Sequence, residues 1–161
     1  MLEKLKGKVD RALYGFATAL HRSGFRPNHA TLLGLLLAVV ALLFAAQGDL
    51  LSSSIFILIS ASMDMLDGVI ARASNTSSKR GEVLDTVADR ITDFLYTMCL
   101  IFAGYNIYGI VIALFLSSFI PYIRALASKY GVNLRGIGIM ERAERSLFIA
   151  FLVSLPLFAW P

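Results

Sequence analysis

Residues 30–47, "ATLLGLLLAVVALLFAAQ", contain no charged side chain. An uncharged apolar run of this length is close to what one α-helix needs to cross the hydrocarbon core of a bilayer. Further apolar runs follow at roughly 51–71, 83–103, 107–127 and 146–160. Leu, Ile, Val, Ala and Phe dominate them, without the apolar–polar alternation of barrel strands. The pattern predicts an all-α, polytopic membrane helix bundle of five spans. The chain is 57% hydrophobic with mean hydropathy +0.71, a surplus that one small soluble core has no room to bury.

Charge placement orients the bundle. Lys4, Lys6, Lys8, Arg11, Arg22 and Arg26 precede the first run. Arg72, Lys79 and Arg80 lie between the second and third, and Lys129, Arg135, Arg142 and Arg145 between the fourth and fifth, with Arg124 at the edge of that connection. The other two connections, "GDL" and "GYN", hold no cation and are short enough to force antiparallel hairpins. By the positive-inside rule this predicts a multi-pass protein of the cytoplasmic membrane, with its N-terminus in the cytoplasm. The net charge of +4 is spread along span flanks and forms no separate basic domain, so a nucleic-acid partner is not expected.

A single domain over 1–161 is expected. Residues 1–26 have apolar Leu2, Leu5, Val9, Leu13 and Phe16 near helical spacing, with Lys and Arg on the other side. They read as an interfacial amphipathic helix, and residues 27–161 as the transmembrane bundle. No short apolar core with a small-residue cleavage site marks a signal peptide there. Pro27 fits a first helical turn, and Asn28 or Thr31 could cap it. "ASNTSSKRG", residues 73–81, reads as a loop. The lone Cys99 excludes an intramolecular disulfide.

Carboxylates interrupt this apolar plan. In "MDMLDGVIARASNTSSKRGEVLDTVAD", Asp64 and Asp67 are three residues apart, and Asp85 and Asp89 are four apart. Each pair shares one helix face, and Asp93 continues the second face one turn further. With a rise of 1.5 Å per residue, Asp64 lies ~12 Å from Arg72, and Asp89 ~12 Å from Gly81. Antiparallel packing of the two spans brings all four to one level in the cytoplasmic half. Charge at that depth is expensive and marks function. Hard oxygen donors suit Mg²⁺ or Mn²⁺. Gly68 and Gly81 leave room for a bulky ligand, and Arg72 is positioned to pair with phosphate. The residues themselves read as a metal-dependent diphosphate site. A divalent-cation transporter is the rival of a different class, and a non-catalytic membrane partner a third reading. Gly68, Ala71, Arg72 and Gly81 argue against an ion path, which needs neither a cation nor small residues there.

The same stretch matches D-x2-D-G-x2-A-R-x8-G-x3-D-x3-D at every fixed position, and so resembles the CDP-alcohol phosphotransferase family. Upstream, "PNHATLLG" is similar to that family's P-N-x2-T-x2-G segment. The resemblance spans roughly residues 25 to 145. It implies transfer of a lipid phosphoryl group from CDP-diacylglycerol or CDP-archaeol to a polar alcohol, with release of CMP. It implies Asp64, Asp67 and Asp85 as ligands of Mg²⁺ or Mn²⁺, taken as two ions. It also implies Asp89 as general base and further ligand. Thr31, Asp64, Asp67, Gly68, Ala71, Arg72 and Gly81 would bind the CDP-lipid. The family forms homodimers and has six spans, one more than is counted here.

"GIGIMERAERSLF" is similar to a G-x-x-E-R-x-E-R segment of the phosphatidylinositol and archaetidylinositol phosphate synthases. This implies inositol 1-phosphate (also numbered 3-phosphate) as acceptor, its phosphate held by Arg124, Arg142 and Arg145. On charge alone those arginines read equally as positive-inside anchors beside Glu141 and Glu144. Related enzymes often read Y-x-R-A-R-A-E upstream; "YIRALAS" here lacks the second Arg and the Glu, and glycerol phosphate is the rival acceptor.

Overall fold

The computed structural model describes residues 14–74, 79–132 and 142–155, all helix and short turns. Helix α1 covers residues 14–22. It is followed by α2 (Pro27–Ala46), α3 (Leu50–Ser74), α4 (Lys79–Phe102), α5 (Ile107–Lys129) and α6 (Arg142–Ser154). The turn after α2 uses Gly48 at φ +81°, a conformation that side chains with a Cβ resist. Asp49 then accepts the Ser52 amide at 3.0 Å, and hydrogen bonds from Ser52 hold its carboxyl below the usual range. The "GYN" turn works the same way. Gly104 has φ +87°, and Asn106 caps α5 by accepting from the Tyr108 amide at 2.9 Å. Both expected hairpins are present.

Helix α2 buries Ala30, Thr31, Gly34, Ala38, Ala41 and Ala45. That spacing is one helix face made of small residues, which lets backbones approach where lipid gives no hydrophobic drive for association. A Cβ on Gly34 would lie 3.4 Å from both Met63 Cβ and the Ser60 carbonyl oxygen. Behind this contact, the Tyr96 hydroxyl donates to Ser60 Oγ at 2.6 Å, and Ser60 Oγ donates to the Gly34 carbonyl at 2.6 Å. This relay ties α4, α3 and α2 together. Tyr96→Phe is expected to lower stability in detergent by about 1 kcal/mol, because Ser60 keeps its acceptor and only one bond is lost. An unchanged melting temperature would remove the relay from the list of supports.

Helix α6 packs into the half of the bundle that holds the main apolar cluster. Ile149, Ala150 and Val153 join Ala38, Ile57, Tyr96 and Cys99 in one buried cluster. Ser54 donates to the Ala150 carbonyl at 2.8 Å, and Tyr105 to the Leu152 carbonyl at 3.0 Å. A second cluster packs Ala17 of α1 against Leu66, Val69 and Ile70 of α3. Helix α5 packs on α4, and most of its large apolar side chains are exposed, Val111, Phe115, Leu116 and Phe119 among them.

The all-α helical bundle is as expected, the span count is matched in part, and several other expectations need correction. Among the described residues three helices, not five, are long and apolar enough to cross a membrane: Pro27–Ala46, Leu50–Ala73 and Ile107–Lys129. Helix α4 has the length but carries Lys79, Arg80, Glu82, Asp85, Asp89, Arg90 and Asp93, and α6 has 13 residues. The loop expected over 73–81 is shorter, since α3 runs to Ser74 and α4 starts at Lys79. Gly81 is therefore inside α4. Neither Asn28 nor Thr31 caps α2; the cap residue is Arg26, whose amide donates to His29 Nδ1 at 3.2 Å. Of the expected interfacial helix, residues 1–13 lie outside the described residues. In the remainder Ala17 is buried and Phe16 is exposed.

Candidate active site

Apart from Asp49 in the turn after α2, the charged residues of the described helices α3 to α6 lie towards one end of the bundle, where α2 and α4 begin, α3 and α5 end and α6 begins. Asp64, Asp67 and Asp85 each offer a carboxylate oxygen within 4.8 Å of the others. Asp64 and Asp67 share a face of α3, and Asp85 reaches them from α4. Asp67 is the most enclosed of the three, 7% exposed. Its Oδ2 accepts a 2.7 Å hydrogen bond from Thr31 Oγ1. Buried carboxylates need such donors, and Thr31 fixes the direction in which Asp67 presents its other lone pairs. An all-oxygen, triply anionic donor set of this size fits one hard divalent cation.

Asp89 stands beside this trio, joined to it through Arg142. One guanidinium nitrogen, Nη1, pairs with Asp64 and also lies 2.8 Å from Asp89 Oδ1. Nη2 donates to Thr92 Oγ1 at 2.8 Å, and Nε lies 3.5 Å from Asp93. Arg145 Nη2 donates to Asp93 Oδ2 at 2.6 Å, and Arg90 approaches the same oxygen at 3.3 Å. Asp93, buried at 7% exposure, is thus the hub that fastens α6 to α4. Arg142 and Arg145 are committed to carboxylates of α3 and α4; Glu141 lies outside the described residues.

Two clefts open at this end. The first is narrow and is lined by Thr31, Gly34, Asp64, Asp89, Thr92 and Arg142 among others. The second is somewhat wider and is lined by Arg90, Ile120, Pro121, Arg124, Arg142 and Arg145. The three arginines expected to act together do converge, and Arg90 joins them. Arg90 pairs with Asp93 one turn along α4, and its place in the basic cleft depends on how α4, α5 and α6 pack. Thr92 was missed in the sequence; its one available signal is its position three residues after Asp89. Gly68, Ala71 and Arg72 lie on α3 and Gly81 on α4; none of the four lines either cleft, and a Cβ on Gly68 would come within 3.3 Å of Arg72 Nη1.

An apolar helical bundle that gathers an acidic cluster and a basic cleft at one end has the chemistry to hold a divalent cation and a phosphorylated ligand side by side. Comparison with known proteins makes this specific. The family model described as CDP-alcohol phosphatidyltransferase matches residues 25–160. The chain is 33% identical over 142 residues to the archaetidylinositol phosphate synthase of Aeropyrum pernix, covering 88% of this chain and 73% of that protein. The archaetidylinositol phosphate synthase of Pyrococcus horikoshii is 32% identical over 157 residues, covering 96% and 82%. The phosphatidylinositol phosphate synthase of Mycobacteroides abscessus is 33% identical over 141 residues, covering 83% and 64%. The chain belongs to the CDP-alcohol phosphatidyltransferase family and is an enzyme of that type.

Proposed function

We propose that the chain transfers a phosphatidyl or archaetidyl group from CDP-diacylglycerol or CDP-archaeol to a hydroxyl of inositol 1-phosphate (3-phosphate), releasing CMP. One observation carries this reading: the acidic cleft and the four-arginine cleft adjoin at the same end of the bundle and share Arg142. A diphosphate with its metal suits the first. A phosphate monoester suits the second, where arginines offer planar, multidentate donors. The relatives' names supply the inositol phosphate. An ion path has no use for a basic cleft beside its carboxylates.

In this reading Asp64, Asp67 and Asp85, with Asp89 as a further ligand, hold two ions of Mg²⁺ or Mn²⁺. A bound divalent cation polarises the transferring phosphoryl group and offsets the charge of departing CMP. Thr31 keeps Asp67 directed at the cluster. Gly68, Ala71 and Gly81 leave room for the nucleotide, and Arg72 reaches its phosphates. Arg124, Arg142 and Arg145 hold the acceptor phosphate, so that its hydroxyl faces the lipid-side phosphorus. Asp89 takes the hydroxyl proton as the new P–O bond forms and the bond to CMP breaks. We also take α4 and α6 as membrane crossings, the N-terminus and the site as cytoplasmic, residues 1–26 as interfacial, and the assembly as a homodimer. A site opening within the cytoplasmic leaflet suits a substrate held in the bilayer by its lipid chains.

The test is CMP release from CDP-lipid in detergent with Mg²⁺, offering inositol phosphate, glycerol phosphate, inositol and serine separately. Release with inositol phosphate alone supports the reading; release with glycerol phosphate instead keeps the reaction and moves the acceptor. Arg124→Ala is expected to raise the KM for the phosphorylated acceptor by about tenfold or more, the scale of one lost charge-assisted contact, with a smaller change in kcat. An unchanged KM would make Arg124 a charge anchor and no more.

A further inference from the structure

Arg142 has more carboxylate partners than one cation requires. It touches Asp64, Asp89 and Asp93 at once, yet its Nε is buried without a hydrogen bond among the described residues. The seat is electrostatically strong but incomplete as a hydrogen-bonding site. Five carboxylates, Asp64, Asp67, Asp85, Asp89 and Asp93, gather at this end, and Arg90, Arg142 and Arg145 pair with three of them, Asp64, Asp89 and Asp93. A cation that takes both Asp64 and Asp89 as ligands comes against Arg142 itself, because Nη1 already bridges those two carboxylates.

We infer that Arg142 is a tethered counter-ion that competes with divalent cation for Asp64 and Asp89, and is handed to the basic cleft when metal takes those carboxylates. The inference rests on the proposed metal and acceptor sites and goes beyond them by coupling the two. Arg142 is the first residue of α6 and lines both clefts. A change of side-chain rotamer therefore moves its charge from one cleft to the other while α6 stays fastened through Arg145 and Asp93. The acceptor cleft gains its full charge only after the metal site is filled. Binding then has an order, metal before acceptor phosphate, which keeps an acceptor from occupying a site that holds no metal.

The experiment is titration of the purified, full chain in detergent with Mn²⁺ alone, following free Mn²⁺ by electron paramagnetic resonance. Arg142→Gln is expected to tighten Mn²⁺ binding by about tenfold or more, since it removes a unit positive charge a few ångström from the ion. Arg142→Lys, which keeps the charge, is expected to stay within about threefold of the parent, and Arg145→Gln, which leaves Asp64 and Asp89 untouched, likewise. Equal or weaker Mn²⁺ binding by Arg142→Gln would overturn the inference and leave Arg142 a structural clamp. Should that variant not fold, the parent chain decides. Inorganic phosphate is expected to raise its melting temperature with Mn²⁺ present and not without it; an equal rise in both overturns the inference. No lipid or inositol phosphate enters the titration, so its failure and failure of the acceptor assignment are separate results.

Discussion

Asp89→Asn is expected to reduce turnover by about a thousandfold or more at saturating substrates, the upper range for loss of a general base. The amide keeps the size and helix position of the side chain but has no lone pair basic enough to take the acceptor's proton. CDP-lipid binding should persist within a few-fold, because Asp64, Asp67 and Asp85 keep their carboxylates and their convergence. Arg142 keeps Asp64 and Asp93 as partners, so α6 should stay docked and the melting temperature should hold. Turnover and equilibrium binding of CDP-lipid, measured on the same preparation, check both halves. Wild-type turnover would remove Asp89 from proton transfer, and a parallel loss of binding would make it chiefly a metal ligand.

Asp67→Ala should abolish measurable activity at any Mg²⁺ or Mn²⁺ concentration. Asp67 is the buried member of the trio, and its loss leaves two ligands where three converge. Raising the metal concentration cannot restore a ligand that is no longer there. Thr31→Val gives the contrast. It deletes the 2.7 Å hydrogen bond that aims Asp67 but leaves the carboxylate, so metal affinity should fall about 10–100-fold, the usual effect of losing a support behind a ligand. Excess Mn²⁺ should then recover most of the rate. A metal titration of activity and of binding on both variants separates the two outcomes. Activity of Asp67→Ala near that of the parent would refute the metal role of the trio.

Much of the site was legible because helix geometry is local. Asp64 with Asp67, and Asp85 with Asp89, must each share a face whatever surrounds them, and the short "GDL" and "GYN" turns leave their flanking helices no arrangement but antiparallel. The membrane class followed from runs too apolar for a small soluble core. The span count was less secure, for α4 is at once a bundle helix and the carrier of seven charged side chains. Apolar character and site chemistry compete in one segment, and a hydropathy reading sees only their sum.

What the sequence by itself determined is the periodic part: apolar helices, the two aspartate pairs with their small neighbours, and the cations gathered at alternate connections. These depend on spacings of three and four residues, which the helical repeat converts directly into shared faces. Only the tertiary structure decided that Thr31 serves Asp67 across 36 residues, that Arg90 joins the basic cleft, and that Arg142 sits between Asp64 and Asp89 with a hand in both clefts. Those partners come from different helices, and side-chain contact between helices depends on their rotation, depth and crossing, which small residues such as Gly34 permit but no local spacing encodes.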